Sequence, residues 1–81
     1  MGYHTKEIKQ GTFGEFSKIV EEFEELTDAY GQNNPVMTLV ECCDLIGAIE
    51  GYVFSKHHIT LNDLITMKDR TKSAFEDGIR K

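Results

Sequence analysis

The chain has 81 residues and a formal net charge of −5, which bounds it to one domain with a modest core. That acidic balance excludes a general nucleic-acid binder, which needs a basic surface to displace counterions. It leaves a phosphorylated ligand open, because divalent cations bridge carboxylates and phosphates.

The segment ahead of Phe13 is weakly specified. Its first ten residues carry His4, Lys6, Glu7 and Lys9 and no apolar stretch of the kind a secretory leader needs. From there no repeat, low-complexity run or strand alternation is visible, and helices are expected throughout. The first is expected over 13–30, where Phe16, Ile19, Val20, Phe23, Leu26 and Tyr30 follow the i, i+3, i+4, i+7 spacing of one buried face. Gly31 is the expected left-handed stop. Asn34-Pro35 then reads as an N-cap followed by proline at the first helical position. The short loop between them makes the two helices antiparallel neighbours.

The second helix is expected over 35–55 and is apolar nearly all round, from Val36 and Leu39 to Val53 and Phe54. Such a helix needs cover on most sides. Two partner helices from so short a chain cannot give it, so a second copy is expected to complete the cover, as a homodimer or higher homo-oligomer. Glu41, Asp44 and Glu50 interrupt this segment and exclude a membrane span. Cys42 and Cys43 are adjacent and cannot bridge on a helix without distortion, which points to a reducing, cytoplasmic setting.

After the turn Lys56-His57-His58-Ile59, the run Thr60-Leu61-Asn62-Asp63 resembles a capping box with Asp in the Glu position. It opens a third helix with Leu61, Leu64, Ile65, Met67, Ala74 and Phe75 on its apolar face, Lys68, Arg70 and Lys72 in its middle, and Gly78 as its end. The expected fold is all-α: one domain over 1–81, a compact antiparallel bundle of three main helices completed by oligomerisation.

The chemistry is carried by carboxylates. Glu22 and Glu25 lie about 60° apart on the first helix, with Glu21 about 40° from Glu25 on its other side. A glutamate run on an amphipathic helix is ordinarily a solvated face, since like charges one turn apart cost only about 0.2–0.5 kcal/mol per pair. Glu41 and Asp44 change that reading. They share one side of a helix otherwise built for burial, where an unpaired carboxylate is costly. Lys18 and the third-helix lysines are too few to pair with the whole cluster. A divalent cation is the simplest neutraliser, and an all-oxygen donor set selects Mg²⁺ or Mn²⁺ over zinc.

The pattern Glu21-Glu22-Phe23-Glu24-Glu25, fifteen intervening residues, then Glu41-Cys42-Cys43-Asp44 resembles the E-E-x-x-E…E-x-x-D signature of the all-α nucleoside triphosphate pyrophosphohydrolases. That superfamily includes MazG-like enzymes, dCTP and dimeric dUTP pyrophosphatases and phosphoribosyl-ATP pyrophosphohydrolase. The similarity runs from about Gly11 to Gly78, and the Ala74–Gly78 ending is similar to compact phage-encoded members. The resemblance implies a metal site of Glu22, Glu25, Glu41 and Asp44, with Glu21 orienting or deprotonating the attacking water. It implies Mg²⁺-dependent hydrolysis of a nucleoside triphosphate to the monophosphate and pyrophosphate. Lys68 and Lys72, one turn apart, and Lys18 are the expected phosphate partners. Two departures leave the base pocket undefined: about ten residues precede the first motif where many members have a further helix, and Asp69 follows Lys68 where many carry asparagine.

Two other readings stand beside this one. A non-enzymatic helical interaction module would keep the fold without metal dependence, and a phosphoribosyl-ATP pyrophosphohydrolase would share the motif. His57 and His58 lack the Glu-x-x-His pairing of a di-iron bundle and read as a polar turn. Gly11-Thr12-Phe13-Gly14 lacks the Lys-Ser/Thr of a phosphate-binding P-loop.

Overall fold

The computed structural model describes residues 6–72 and 76. Ala74, Phe75 and Gly78, assigned above to the third helix, lie outside the described residues. The elements in order are α1 (Phe16–Gly31), α2 (Pro35–His57) and α3 (Leu61–Arg70), with no strand among the described residues.

Helix α1 begins later than the apolar periodicity suggests, because Phe13 and Gly14 form a turn in which Gly14 takes φ +90°. That conformation suits a residue without Cβ. The turn is closed by Glu15 N donating to Thr12 O at 2.9 Å and by Thr12 N donating to Ser17 Oγ at 3.1 Å. At the other end Gly31 is still helical. The left-handed residue is Asn33, with φ +56°, not the expected Gly31. Asparagine tolerates this region better than most side chains.

The predicted restart is observed. Asn34 Oδ1 accepts from Met37 N at 3.1 Å, and Pro35 opens α2. Helix α2 runs past Ser55 to His57, and His58 caps it in the left-handed conformation, so the histidine pair ends a helix rather than forming a free turn. The Thr60–Asp63 capping box is present in both directions, at 3.1 and 3.0 Å.

Helix α1 packs along α2 as an antiparallel hairpin, while α3 touches α2 only. The hairpin seam is made of short residues. Ala29 on α1 is 0% exposed, and Ala48 and Gly51 on α2 are buried as well. The Phe13 ring lies on Gly51 so closely that a Cβ there would come within 2.6 Å of the ring Cζ.

Of the expected buried face of α1, Ile19 and Leu26 are half-buried and the other four residues are exposed. Phe16 is 60%, Phe23 58% and Tyr30 74% exposed, and Val20 is exposed as well. The helix turns Glu21, Glu22, Asp28 and Ala29 inward instead. Phe16 and Phe23 lie about 160–180° round the helix from Glu25, so burying one set exposes the other. Packed this way, α1 leaves most of its aromatic stripe outside. Helix α2 likewise keeps Val36, Leu39, Ile46 and Phe54 exposed within one chain. No helix of the described residues is long and apolar enough to cross a membrane.

Candidate functional site

The seam between α1 and α2 gathers the carboxylates singled out from the sequence. One oxygen from each of Glu22, Glu41 and Asp44 lies within 4.8 Å of the others, and so does one from each of Glu21, Glu22 and Glu25. Glu22 belongs to both trios. The two half-motifs therefore meet across the hairpin. Glu41 is 0% exposed and Glu22 6%, while Asp44 is exposed and opens its trio to solvent.

Burial is the first cause that raises the Glu41 carboxyl above its ordinary value, with the charge of Asp44 and a hydrogen bond to it adding. Clustered carboxylates out of water favour protonation or a cation. Burial also works to raise Glu21. It is outweighed by the Gly11 amide, by Lys18 and by a hydrogen bond with Glu25, and the Glu21 carboxyl is held below the usual glutamate range. Gly11 N donates to Glu21 Oε1 at 2.9 Å. The approach to Gly11 is equally tight, since a Cβ there would lie 2.3 Å from Ser17 O.

Lys18 is the cation of this seam. Its Nζ sits 3.0 Å from Glu21 Oε1 and 3.1 Å from Glu22 Oε2. The hydrogen bond to Glu21 raises its pKa most; burial opposes the rise and Glu22 reinforces it. Of the three lysines expected to meet phosphate, Lys18 thus joins the carboxylates, and the other two pair within their own segment. Lys68 Nζ lies 2.7 Å from Asp69, and Lys72 Nζ 4.0 Å from Glu76. Lys68 lines an apolar groove between α2 and α3 with Ile46, Ile49, Leu61, Leu64 and Ile65. Ile46 and Ile49 are about 80–140° round α2 from Glu41, so this groove is a different side of the helix.

An all-oxygen set fits a hard cation. One observation beyond the clustering supports the fit: Glu22 Oε1 is buried and has no hydrogen-bond partner among the described residues. Leaving such an oxygen bare costs free energy that a bound cation would return. Glu22, Glu41 and Asp44 would hold an ion in the solvent-facing trio, and Glu25 would join Glu22 in the other.

Two features, the Gly11 amide and Asp28, escaped the sequence reading. The Gly11 amide on Glu21 arises from a turn, and nothing in local spacing announces it. Lys18, named from the sequence as a candidate partner of the cluster, does pair with part of it, since Lys18, Glu21 and Glu22 stand at i, i+3 and i+4. Asp28 is buried at the foot of the seam, where Gln32 Nε2 donates to its Oδ2 at 3.1 Å. At the hairpin end, an open cleft of about 650 Å³ is lined by Tyr30, Asn33, Asn34, Pro35, Thr38 and Leu39. Cys42 is half-buried and Cys43 exposed, and both are free thiols.

No family model, curated protein or solved structure matches this chain.

Proposed function

We propose that the protein is a Mg²⁺- or Mn²⁺-dependent pyrophosphohydrolase of the MazG-like class, converting a nucleoside or deoxynucleoside triphosphate to its monophosphate and pyrophosphate. The observation that supports this best is the meeting of the two half-motifs at a seam where Glu22, Glu41 and Asp44 converge and Glu22 Oε1 is bare. When bound, divalent ions would clamp the triphosphate and acidify a water molecule. Glu22, Glu25, Glu41 and Asp44 would be their ligands. Glu21 stays anionic and accepts a hydrogen bond from the water that attacks the α-phosphorus. Its low basicity suits it to orient that water rather than to take its proton. The cleft at the hairpin end offers the Tyr30 ring and asparagine amides to a nucleobase. Lys68 and Lys72 would reach phosphate from a second copy or after rearrangement of α3.

That second copy is part of the proposal. The outward stripe of Phe16, Val20, Phe23 and Tyr30 is the surface it would cover. Sedimentation should give a dimer or larger species, and a well-folded monomer at micromolar concentration would remove this element. The free thiols suit a reducing, cytoplasmic setting.

The exposed stripe also favours the rival, a helical interaction module without activity. The deciding experiment measures pyrophosphate release with Mg²⁺ across the common NTPs and dNTPs, beside Glu41→Gln. Release by the parent and its loss in the variant are expected. A folded parent that releases none from any nucleotide would favour the rival. Activity confined to phosphoribosyl-ATP would favour the third reading.

A further inference from the structure

The two carboxylate trios of the seam are not equivalent. The Glu22–Glu41–Asp44 trio opens to solvent through Asp44, and Glu22, which both trios share, has a buried Oε1 that lacks a hydrogen-bond partner among the described residues. The Glu21–Glu22–Glu25 trio already holds a positive charge, because Lys18 Nζ contacts Glu21 at 3.0 Å and Glu22 at 3.1 Å. Resting on the metal-site reading above, we propose that Lys18 is a tethered stand-in for a second divalent cation. Its ammonium fills the Glu21–Glu22–Glu25 trio while the Glu22–Glu41–Asp44 trio takes an ion from solution, and a second ion enters only as Lys18 leaves.

The chemistry of the side chain suits this exchange. An ammonium is a compact point charge with three donors on a flexible four-carbon stem, so it can withdraw without moving α1. Lys18 is still partly open to water, with its side chain 25% exposed. The carboxylate it would vacate stays in place, because the Gly11 amide holds Glu21 from the loop side. A single ammonium offsets only one of the charges in its trio, so it is a weaker partner there than a divalent ion. That ion must still shed water to displace it, and Mg²⁺ dehydrates reluctantly. Phosphate oxygens arriving with the ion would tip the balance. Loading is then ordered: one ion in the resting protein, the second together with the triphosphate, when the released ammonium can pair with phosphate.

The test uses the full chain and Mn²⁺ alone, with bound ion counted by electron paramagnetic resonance and by calorimetry. The wild-type protein should take one ion, and a second only at a concentration higher by about tenfold or more. Lys18→Met keeps the length of the side chain and removes its charge, and it should close that gap. Lys18→Arg keeps the charge on a fork that grips carboxylates more firmly, and it should widen the gap by about tenfold. Because Glu22 is shared and touches Lys18, first-site affinity should rise with Lys18→Met, but by less than second-site affinity, so that the gap still closes. Circular dichroism confirms that each is helical, and if Lys18→Met fails to fold, Lys18→Arg carries the test. A gap unchanged in the folded variants, or two ions bound alike by the wild type, would overturn the proposal and leave the metal site standing. No ion bound by the wild type would instead remove the metal reading itself.

Discussion

Helix α2 meets its two neighbours by opposite rules. Toward α3 it offers Ile46 and Ile49 to Leu61, Leu64 and Ile65, an aliphatic groove that Lys68 borders. On the α1 side it buries Glu41, whose carboxylate lies near that of Glu22. The first contact is an ordinary source of stability: apolar area leaves water, worth about 25 cal/mol per Å². The second takes carboxylates out of water and sets them beside one another, which opposes folding. A small domain has little stability to give up. The acidic seam is thus the side of α2 that costs folding stability, and the α3 side is where the fold recovers part of that loss.

The sharpest way to break this contrast is to supply the cation. If the seam is a metal site, saturating Mn²⁺ or Mg²⁺ should stabilise the native chain by about 2.7 kcal/mol at a hundredfold excess over its dissociation constant. For a domain of this size each kcal/mol moves the melting midpoint by roughly 4–8 °C. A midpoint indifferent to millimolar metal would reduce the seam to a structural oddity. Next in size is the aliphatic side. Ile49→Ala should cost about 2 kcal/mol by thermal or urea unfolding, equally with and without metal, because a half-buried side chain is lost from an apolar contact. A metal-dependent cost would mean that the two sides of α2 are not separate.

Glu41→Gln gives a smaller effect with the opposite sign. It removes a buried charge, so the metal-free protein should gain about 1 kcal/mol near neutral pH while losing the response to metal. The pH course checks the cause. Burial, then Asp44, raises the Glu41 carboxyl above 4.5, so the folded chain holds a proton there that the unfolded chain has released. That stabilising contribution is complete below 4.5 and is lost as pH rises through the raised value. The metal-free parent should therefore fall behind Glu41→Gln as pH climbs above 4.5, and a constant difference between the two would exclude this origin. Smallest of all is Lys56→Ala. Its pair with Glu15 is 3.3 Å long and exposed, so its loss should cost only about 0.2–1 kcal/mol and should fade in high salt.

Much of this contrast was legible in the residues, and the illegible part has a physical reason. Asn34-Pro35 and Thr60–Asp63 act within one turn, so local chemistry suffices to place them. Glu22 with Glu25, and Glu41 with Asp44, share helix faces by spacing alone, and a short loop brings the two faces together. The buried side of α1 was misjudged because periodicity reveals that a helix has an aromatic stripe but not what the stripe meets. Which face of α1 packs on α2 is a choice made between helices rather than within one. Phe13 on Gly51 and the Gly11 amide on Glu21 are likewise tertiary, made by a turn that no periodic pattern describes. The left-handed residue after α1 is Asn33 rather than Gly31, because asparagine can take the same role.

The loop that joins α1 to α2 has one further consequence. A cut beside Asn33 would sort the carboxylates into two peptides, Glu21, Glu22 and Glu25 on one and Glu41 and Asp44 on the other. Each fragment would then hold half a chelator, and their rejoining would bury like charges unless a cation came between them. Nicked there, the hairpin becomes a pair of strangers, and on the metal-site proposal their reunion is a question put to the surrounding solution, answered by how much divalent cation it contains.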